Sequence, residues 1–411
     1  MKAASLHPSL AQQRARAASR ERVGTVARRP RVLFADHASR LSGAELVLLD
    51  ILRGWTPGTP VFLFENGPLV DALKAAGAAP VLARHGGDLG AIKRDRSLLR
   101  ALPKLRHMAG LVIELARAAR AHDVVYANSQ KSFVLAALAT RIARRTLVWH
   151  LHDILTPAHF AGAQRRLVIG LANRCAQAVI VPSQAAADAF VAAGGRARLL
   201  HLVPNGLDIP PETASRHELR ATLGLPVSFK GDGFMFGVFS RLSPWKGQHV
   251  AIGALAGLPG ARCVIVGDAL FGEDAYATEL RHLAETTGVA DRVAFLGHRT
   301  DVPRLMRAMD AVVHPSVDPE PFGRTLVEAM LARVPVIATA TGAAPGILDG
   351  GLAGILVKPG SAASLAEALV RVRTDPASHA AMIDRAEARA LARFSAPQMV
   401  AAIDAVLCGL P

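Results

Sequence analysis

The feature that most constrains the fold is a recurrence of short apolar runs, each followed by a longer stretch with helical character. The runs are only a few residues long and are rich in Val, Ile and Phe, which favour strands. Strands that alternate with helices predict a mainly parallel, doubly wound α/β sheet. The predicted strands are 31–36, 61–64, 81–82, 124–127, 147–150, 179–181, 234–239, 263–266, 293–295, 311–313 and 336–338.

The length of 411 residues is enough for two domains of ordinary size, each with its own core. A turn signal, Pro-Asn-Gly at residues 204–206, lies at mid-chain, and a second set of predicted strands follows it. We therefore predict one α/β domain over residues 31–208 and another over residues 209–389. Residues 1–30 lack aromatic residues and a repeating apolar pattern, so they are predicted to form a flexible basic tail.

The formal net charge of +15 is concentrated in two segments. Residues 1–31 hold eight basic side chains and one acidic one, and residues 84–120 hold nine basic and three acidic ones. Two local basic patches on a nearly neutral body indicate an anionic surface or partner rather than a general nucleic-acid binder.

The cysteines and the apolar runs predict a cytoplasmic protein. Cys175, Cys263 and Cys408 are odd in number and widely spaced, so they indicate neither a disulfide framework nor a zinc site. The N-terminus lacks the apolar core of a signal peptide. No uninterrupted apolar run approaches the ~18 residues that cross a bilayer.

Residues 96–119 have the pattern of a basic amphipathic helix. Such a helix can lie on an anionic membrane surface, and the basic tail would add a weaker attraction. The alternative is that its apolar face packs on the sheet of its own domain, which would leave only a solvated basic face. The apolar positions are Leu98, Leu102, Leu105, Ala109, Val112, Ala116 and Ala119, and the basic positions are Arg96, Arg100 and Lys104.

The segment 314–342 carries the most specific chemical signal, because two carboxylates stand in it. Glu320 lies in a Pro-rich turn after a predicted strand, and Glu328 lies in a helix that can begin only after Pro321. Gly323, near the first turn, leaves amide groups free to bind an anion at the positive end of the helix dipole. This arrangement would suit a phosphorylated ligand with hydroxyl groups at both ends, such as a nucleotide-sugar.

Glu328 has a second interpretation. It could form a weak surface ion pair with Arg324, one turn earlier in the helix. The neighbouring Leu326, Val327 and Met330 argue for a helix that is apolar over most of its circumference and is therefore buried. A carboxylate in a buried helix needs a partner that offsets its desolvation.

Two basic residues follow the first predicted strand of the second domain, within residues 240–248. Arg241 can bind phosphate oxygens with its guanidinium fork, and Lys246 would add a point charge. Gly247, which has no side chain, would let the backbone come close to the phosphate group. A separation of five residues across a strand-to-helix turn would let both side chains converge on one phosphate group. The alternative is a solvated pair beside a turn.

These motifs, in this order, resemble the retaining glycosyltransferases of family 4, which have the GT-B fold of two Rossmann-like domains facing a central cleft. The resemblance covers roughly residues 31–408 and rests most on the sequence Glu-Pro-Phe-Gly-Arg-Thr-Leu-Val-Glu that begins at Glu320. Residues 124–153 resemble the family's strand ending in Asn-Ser, followed by a helix and a strand ending in His-Asp. Residues 390–411 resemble the terminal helix, which in the family returns to pack on the first domain.

The resemblance implies how the donor's nucleoside diphosphate would be held. Arg241 and Lys246 would neutralise the leaving diphosphate, assisted by the helix end near Phe322 and Gly323. Glu328 would bind the ribose hydroxyls.

The resemblance also implies how the transferred sugar would be held. Glu320 would bind its hydroxyls, His152 would lie beside it, and Gly43 would approach the donor. The implied catalytic residues are His152, Glu320, Arg241 and Lys246, and the implied donor-binding residues are Gly43, Arg241, Lys246, Glu320, Phe322, Gly323 and Glu328. The resemblance implies no metal ion and no cofactor apart from the nucleotide-sugar substrate.

The chain departs from the family pattern in two places. Gly43 stands alone where relatives commonly have two adjacent glycines, and Gly346 stands where they often have an acidic residue. The expected activity is sugar transfer to a glycan or lipid-linked acceptor. The alternatives are another GT-B activity, such as a nucleotide-sugar epimerase, and a basic nucleic-acid-binding module. The second is disfavoured because the chain has only two Tyr and three Trp, with no interleaving of aromatic and basic residues.

Overall fold

A computed structural model of the protein describes residues 29–37, 41–86, 98–157, 160–226, 229, 233–270 and 272–411. These residues form two open sheets in which the paired strands are parallel, covered by helices. The predicted doubly wound α/β architecture is thereby confirmed.

The first sheet contains seven strands. They are β1 (Val32–Asp36), β2 (Pro60–Leu63), β3 (Ala79–Leu82), β4 (Val124–Ala127), β5 (Thr146–His150), β6 (Ala178–Val181) and β7 (Leu200–Leu202). Their order across the sheet is β3-β2-β1-β4-β5-β6-β7, so the direction of winding reverses between β1 and β4. In open α/β sheets, ligands bind beyond the carboxyl ends of the strands at such a reversal.

The second sheet contains six strands. They are β8 (Met235–Phe239), β9 (Arg262–Val266), β10 (Val293–Phe295), β11 (Ala311–His314), β12 (Val336–Thr339) and β13 (Ile355–Val357). Their order is β10-β9-β8-β11-β12-β13, which places the second reversal between β8 and β11. Each domain therefore has one predicted ligand-binding edge.

Helices cover both faces of each sheet because both faces are apolar. In β1, for example, Leu33 enters one buried cluster and Phe34 enters the cluster on the opposite face. The helices of the first domain are α1 (Gly43–Arg53), α2 (Pro68–Ala75), α3 (Leu98–Ala119), α4 (Gln130–Ala143), α5 (Gly162–Cys175) and α6 (Gln184–Ala192). Those of the second are α7 (Arg216–Thr222), α8 (Gln248–Ala256), α9 (Asp274–Thr286), α10 (Val302–Arg307), α11 (Arg324–Leu331), α12 (Ala344–Ile347), α13 (Ala362–Thr374) and α14 (Ala380–Arg393).

The final helix, α15 (Ala396–Cys408), packs on the first domain. Its residue Ile403 is fully buried in that domain's core, whereas Ala390 of α14 is buried in the core of the second domain. The chain also links the domains near residue 207, where the Leu207 amide donates a hydrogen bond to the Phe394 carbonyl at 2.9 Å.

One helical segment among the described residues, Pro376–Cys408, is long and apolar enough to cross a membrane by length and composition. It is not a single continuous helix, because α14 ends at Arg393 and α15 begins at Ala396. The two parts bury apolar side chains in the cores of different domains.

The apolar face of α3 is covered over the second half of that helix. Val112, Ala116 and Ala119 are buried in the first domain's core, where α3 lies against α4, whereas Ala109 is exposed. Over this half, the apolar face of α3 therefore packs on its own domain, as the alternative interpretation held. The expectation that this apolar face turns toward a membrane is wrong for these residues. Arg96 lies outside the described residues, as do the side chains of Leu98, Leu102, Leu105, Arg100 and Lys104.

Part of the predicted tail is held on the body of the protein. Residues 1–28 lie outside the described residues. Arg29 places its guanidinium 3.8 Å from the centroid of the Trp55 ring. Its Nε also lies 2.5 Å from Oδ1 of Asp404 on α15.

The turn that carries Glu320 is held against two glycines of the second domain. A Cβ on Gly247 would collide with the carbonyl oxygen of Pro315, and a Cβ on Gly342 would collide with the backbone of Glu320. Both glycines also have positive φ angles, 73° and 58°. Only glycine allows the backbones to approach this closely, so these contacts fix the position of the turn.

We predict that Gly342→Ala displaces this turn and lowers the free energy of unfolding by about 2 kcal/mol or more, because the new Cβ meets backbone at a positive φ. Gly346→Ala is the matched control. Its Cβ would meet no atom within 4 Å, so stability should hardly change. Denaturant unfolding of both variants tests this, and equal stabilities would contradict the assignment.

Candidate active site

The second domain holds a carboxylate between a lysine and a histidine beyond the reversal of β8 and β11. Oε1 of Glu320 lies 2.5 Å from Nζ of Lys246, and its Oε2 lies 2.5 Å from Nε2 of His314. The hydroxyl of Ser316 lies 3.2 Å from the same Oε2. Lys246 follows β8 and His314 ends β11, so the two strands at the reversal supply the partners.

The partners of Glu320 decide its charge. Burial is the largest effect and opposes ionisation, but the combined influence of Lys246 and His314 outweighs it and holds the pKa of Glu320 well below its usual range. Glu320 is therefore an ionised carboxylate with both oxygens engaged. His314 was not singled out from the sequence, although its position at a strand end in the same segment was visible.

Arg241 and Lys246 both lie beside Trp245 in the loop after β8, and their convergence on one phosphate group stays a prediction. Both cationic groups lie near the ring of Trp245, with Nζ of Lys246 4.2 Å and the Arg241 guanidinium carbon 5.6 Å from its centroid. Lys246 is largely buried, so it is not a solvated surface charge.

Glu328 lies on α11 and pairs with Arg324, as the second interpretation held, but the pair is not a surface contact. Nη2 of Arg324 lies 3.6 Å from Oε1 of Glu328, and Nη1 lies 2.6 Å from Oδ2 of Asp50 on α1. The side chains of Glu328 and Arg324 are only 16% and 17% exposed. Burial raises the pKa of Glu328, Arg324 lowers it, and Asp50 raises it further.

At the amino end of α11, Phe322 can present its backbone, and not its side chain, to a ligand. The Phe322 ring is buried in the second domain's core, in edge contact with Phe394 at a centroid distance of 5.8 Å. Gly323 is the N-cap of α11 and has a left-handed conformation, with φ of 89°. The Leu326 amide donates to the Gly323 carbonyl at 3.0 Å, and the amides that precede it in the first turn lack intrahelical acceptors, which suits an anion.

The first domain holds His152 at the carboxyl edge of its sheet, near the reversal of β1 and β4. Nε2 of His152 lies 3.0 Å from Oδ1 of Asn128, and Nδ2 of Asn128 donates to Oδ2 of Asp36 at 2.6 Å. Burial lowers the pKa of His152 to about 4, against an opposing influence of Asp36. His152 is therefore neutral near pH 7. Asn128 and Asp36 were not predicted as site residues.

Gly43 is the first residue of α1 and is exposed. A Cβ there would meet no protein atom within 4 Å, so the fold itself does not require glycine at this position. Two residues later, Glu45 is buried and accepts a hydrogen bond from the Ser42 amide at 3.1 Å. Burial and the nearby Asp36 raise the pKa of Glu45 to about 7.

The two domains thus place different chemistry at their ligand-binding edges. The second domain supplies two cationic groups, an ionised carboxylate and a helix amino end, which are suited to a diphosphate and a sugar hydroxyl. The first domain supplies a neutral imidazole. Within the part of the chain that the structure describes, no three His, Cys, Asp or Glu side chains are grouped so that they could hold a metal ion.

Comparison with solved structures gives a match over nearly the whole chain. The HepE protein of Anabaena, solved in complex with UDP and glucose, is 39% identical, covers 93% of this chain over its full length and superposes with a TM-score of 0.83. The sucrose-phosphate synthase of Thermosynechococcus elongatus is 20% identical, covers 91% of the chain and 97% of its own, and shares the fold with a TM-score of 0.72.

Comparison with curated proteins gives a shorter match. The D-inositol 3-phosphate glycosyltransferase of Mycobacterium marinum is 32% identical over 200 residues. The match covers 48% of this chain and 42% of the relative, so the chain spans less than half of the relative's length. Family models match both domains: "Glycosyl transferase 4-like domain" over residues 55–206 and "Glycosyl transferases group 1" over residues 226–389. The chain therefore belongs to the GT-B glycosyltransferases of the family 4 type and is a glycosyltransferase enzyme.

Proposed function

We propose that the enzyme transfers a sugar, with retention of anomeric configuration, from a UDP-sugar to a glycan or lipid-linked acceptor in cell-surface polysaccharide or glycolipid synthesis. The observation that carries the proposal is the cluster of Lys246, Glu320 and His314 at the reversal of β8 and β11. The choice of nucleotide is supported by HepE, which was solved with UDP and with UDP-glucose. The proposed location is the cytoplasm.

The donor fits the second domain in one orientation. Its diphosphate lies at the amino end of α11, where Arg241 and Lys246 neutralise the charge that develops on the leaving group. Glu320 accepts hydrogen bonds from the sugar's hydroxyls, and Glu328 accepts them from the ribose. Because Lys246 contacts Glu320 directly, it links the phosphate position to the sugar position.

The state of Glu320 bears on the stereochemical course. Attack by a carboxylate is weakened when its oxygens are engaged, and the two oxygens of Glu320 are in contact with Lys246 and His314. Glu320 therefore suits sugar binding better than attack on the anomeric carbon. We accordingly propose a front-face displacement in which the leaving phosphate guides the incoming acceptor, so that configuration is retained.

The phosphate-binding groups are the first test. We predict that Lys246→Gln and Arg241→Gln each lower turnover about a hundredfold, with a smaller rise in the Michaelis constant for the donor, because both act on charge that develops in the transition state. Lys358→Gln, at an exposed lysine of the same domain, is the control. A variant that raises only the Michaelis constant would assign Lys246 and Arg241 to ground-state binding.

The same assay tests the proposal that the enzyme needs no divalent metal and no cofactor, since the two basic side chains supply the positive charge. Excess EDTA should leave turnover unchanged. Activity that disappears with EDTA and returns with Mn²⁺ would contradict this part of the proposal.

Glu328 is tested by binding of the free nucleotide. We predict that Glu328→Gln weakens UDP binding by roughly 1 to 3 kcal/mol, the usual loss for a hydrogen bond to a charged group. Calorimetric titration with UDP measures this, and Glu367→Gln, at an exposed glutamate of the same domain, is the matched control. Equal UDP affinity in the folded Glu328 variant would remove the ribose from the proposal.

We further propose that basic side chains of residues 84–120 attract the enzyme to an anionic membrane carrying a lipid-linked acceptor. Because the apolar face of α3 is buried over residues 111–119, the attraction rests mainly on charge. We predict sedimentation with vesicles containing phosphatidylglycerol but not with neutral vesicles, reduced by salt and by Arg96, Arg100 and Lys104→Glu changes. Equal recovery in the supernatant with both vesicle types at low salt would indicate a soluble acceptor.

A further inference from the structure

Asn128 stands between a buried carboxylate and the histidine at the carboxyl edge of the first sheet. Asp36 ends β1 and His152 follows β5, while Asn128 comes directly after β4, which lies between those two strands. Asp36 and Asn128 are fully buried, and His152 is partly exposed. The three side chains therefore form a line from the interior of the domain to its ligand-binding edge.

The hydrogen bonds of Asn128 fix which way its amide group points. The Nδ2 group donates to Oδ2 of Asp36 at 2.6 Å and to the carbonyl oxygen of Ala44 at 3.2 Å. The reversed orientation would set the amide oxygen against the carbonyl oxygen of Ala44, which can only accept a hydrogen bond. The other carboxyl oxygen of Asp36, Oδ1, accepts a hydrogen bond from the His37 amide at 2.6 Å.

The amide orientation in turn fixes the proton on His152. The oxygen of Asn128 is the atom that faces Nε2 of His152, at 3.0 Å. An amide oxygen only accepts hydrogen bonds, so Nε2 must carry the proton. In a neutral imidazole the other nitrogen, Nδ1, is then an acceptor.

We propose that Asn128 is a positioning residue that holds His152 as the tautomer protonated at Nε2, so that Nδ1 accepts a hydrogen bond from a hydroxyl group of the bound sugar. This inference rests on the proposed function, since the sugar is its ligand. It adds a chemical requirement, because the group that meets Nδ1 must be a hydrogen-bond donor. Asp36 has an indirect role, because it accepts a hydrogen bond that holds the Asn128 amide group in this orientation.

Burial keeps His152 neutral in the working range of pH, against the opposing influence of its charged neighbour Asp36. His150, whose ring centroid lies 3.9 Å away, has its own pKa lowered well below the usual range by burial and is neutral too. Asp36 is the nearby anion, with His37 and Glu45 beside it, and its influence on His152 is outweighed by burial. Protonation of His152 near its pKa of about 4 would convert Nδ1 from an acceptor into a donor.

The proton position can be measured without any substrate. In ¹⁵N-histidine-labelled full-length protein, His152 should show a protonated Nε2 and an unprotonated Nδ1 from about pH 5 to pH 8, because its pKa is about 4. Signals are assigned by loss in His152→Gln. A protonated Nδ1 in the wild-type protein would overturn the inference.

Two variants test the role of Asn128. Asn128→Ala should give mixed tautomers at His152 and lower kcat about tenfold, with UDP affinity unchanged. Asn128→Asp keeps the shape of the side chain, and it provides the test of the proposal if the alanine variant does not fold. Its added carboxylate should raise the pKa of His152, so activity should fall at a higher pH than in wild type as the solution is acidified.

Tyr126→Phe is the matched control. It removes a buried hydrogen bond, 2.8 Å from the Tyr126 hydroxyl to Nδ1 of His150, without touching Asn128. The tautomer of His152 should be unchanged. A pure tautomer and normal kcat in the folded Asn128→Ala variant, or a pH dependence of activity in Asn128→Asp equal to that of the wild type, would overturn the proposal. Failure of the wild type to bind UDP or transfer sugar would overturn the proposed function instead, and the tautomer measurement separates that result from this one.

Discussion

The arrangement of the second domain depends on the compensation of one buried charge, that of Glu320. A carboxylate removed from water is strongly destabilising unless it is paired, and loss of one partner from a buried pair leaves an uncompensated charge. Lys246 and His314 provide the pairing from opposite sides. Because they follow adjacent strands, the pairing holds the two strand ends and the intervening turn in one geometry. The close glycine contacts of that turn serve the same geometry through the backbone.

The two domains use the same sheet topology for different electrostatic tasks. In both, the functional groups stand where the winding direction of a parallel sheet reverses. In the second domain the groups are ionised, as a diphosphate requires. In the first domain the edge carries the neutral ring of His152, and the compensated Asp36 lies behind it. A neutral group beside a sugar can bind a hydroxyl without competing for the cations that hold the phosphate.

The sequence was sufficient for the architecture, because strand periodicity is a short-range signal, and its local motifs named Lys246 and Glu320, which the structure brings into contact. It missed β7 and β13, two strands of three residues at sheet edges. It also missed Asn128 and Asp50, whose contacts join residues 92 and 274 positions apart. No local motif encodes such pairings. The burial of the Phe322 ring was also not predicted, since its motif gave no sign that the ring faces the core; a role for its backbone at the helix amino end stays a prediction.

The contact between Arg324 and Asp50 ties the proposed ribose site to the position of the first domain. Arg324 is shared between Asp50 on α1 and Glu328, and it is closer to Asp50, at 2.6 Å against 3.6 Å. Asp50 raises the pKa of Glu328, whereas Arg324 lowers it. Separation of the domains would move Asp50 away from Arg324, so that Arg324 would pair with Glu328 alone. This change would favour the ionised form of Glu328. The charge of Glu328, the group proposed to bind the ribose, therefore depends in part on the relative position of the two domains.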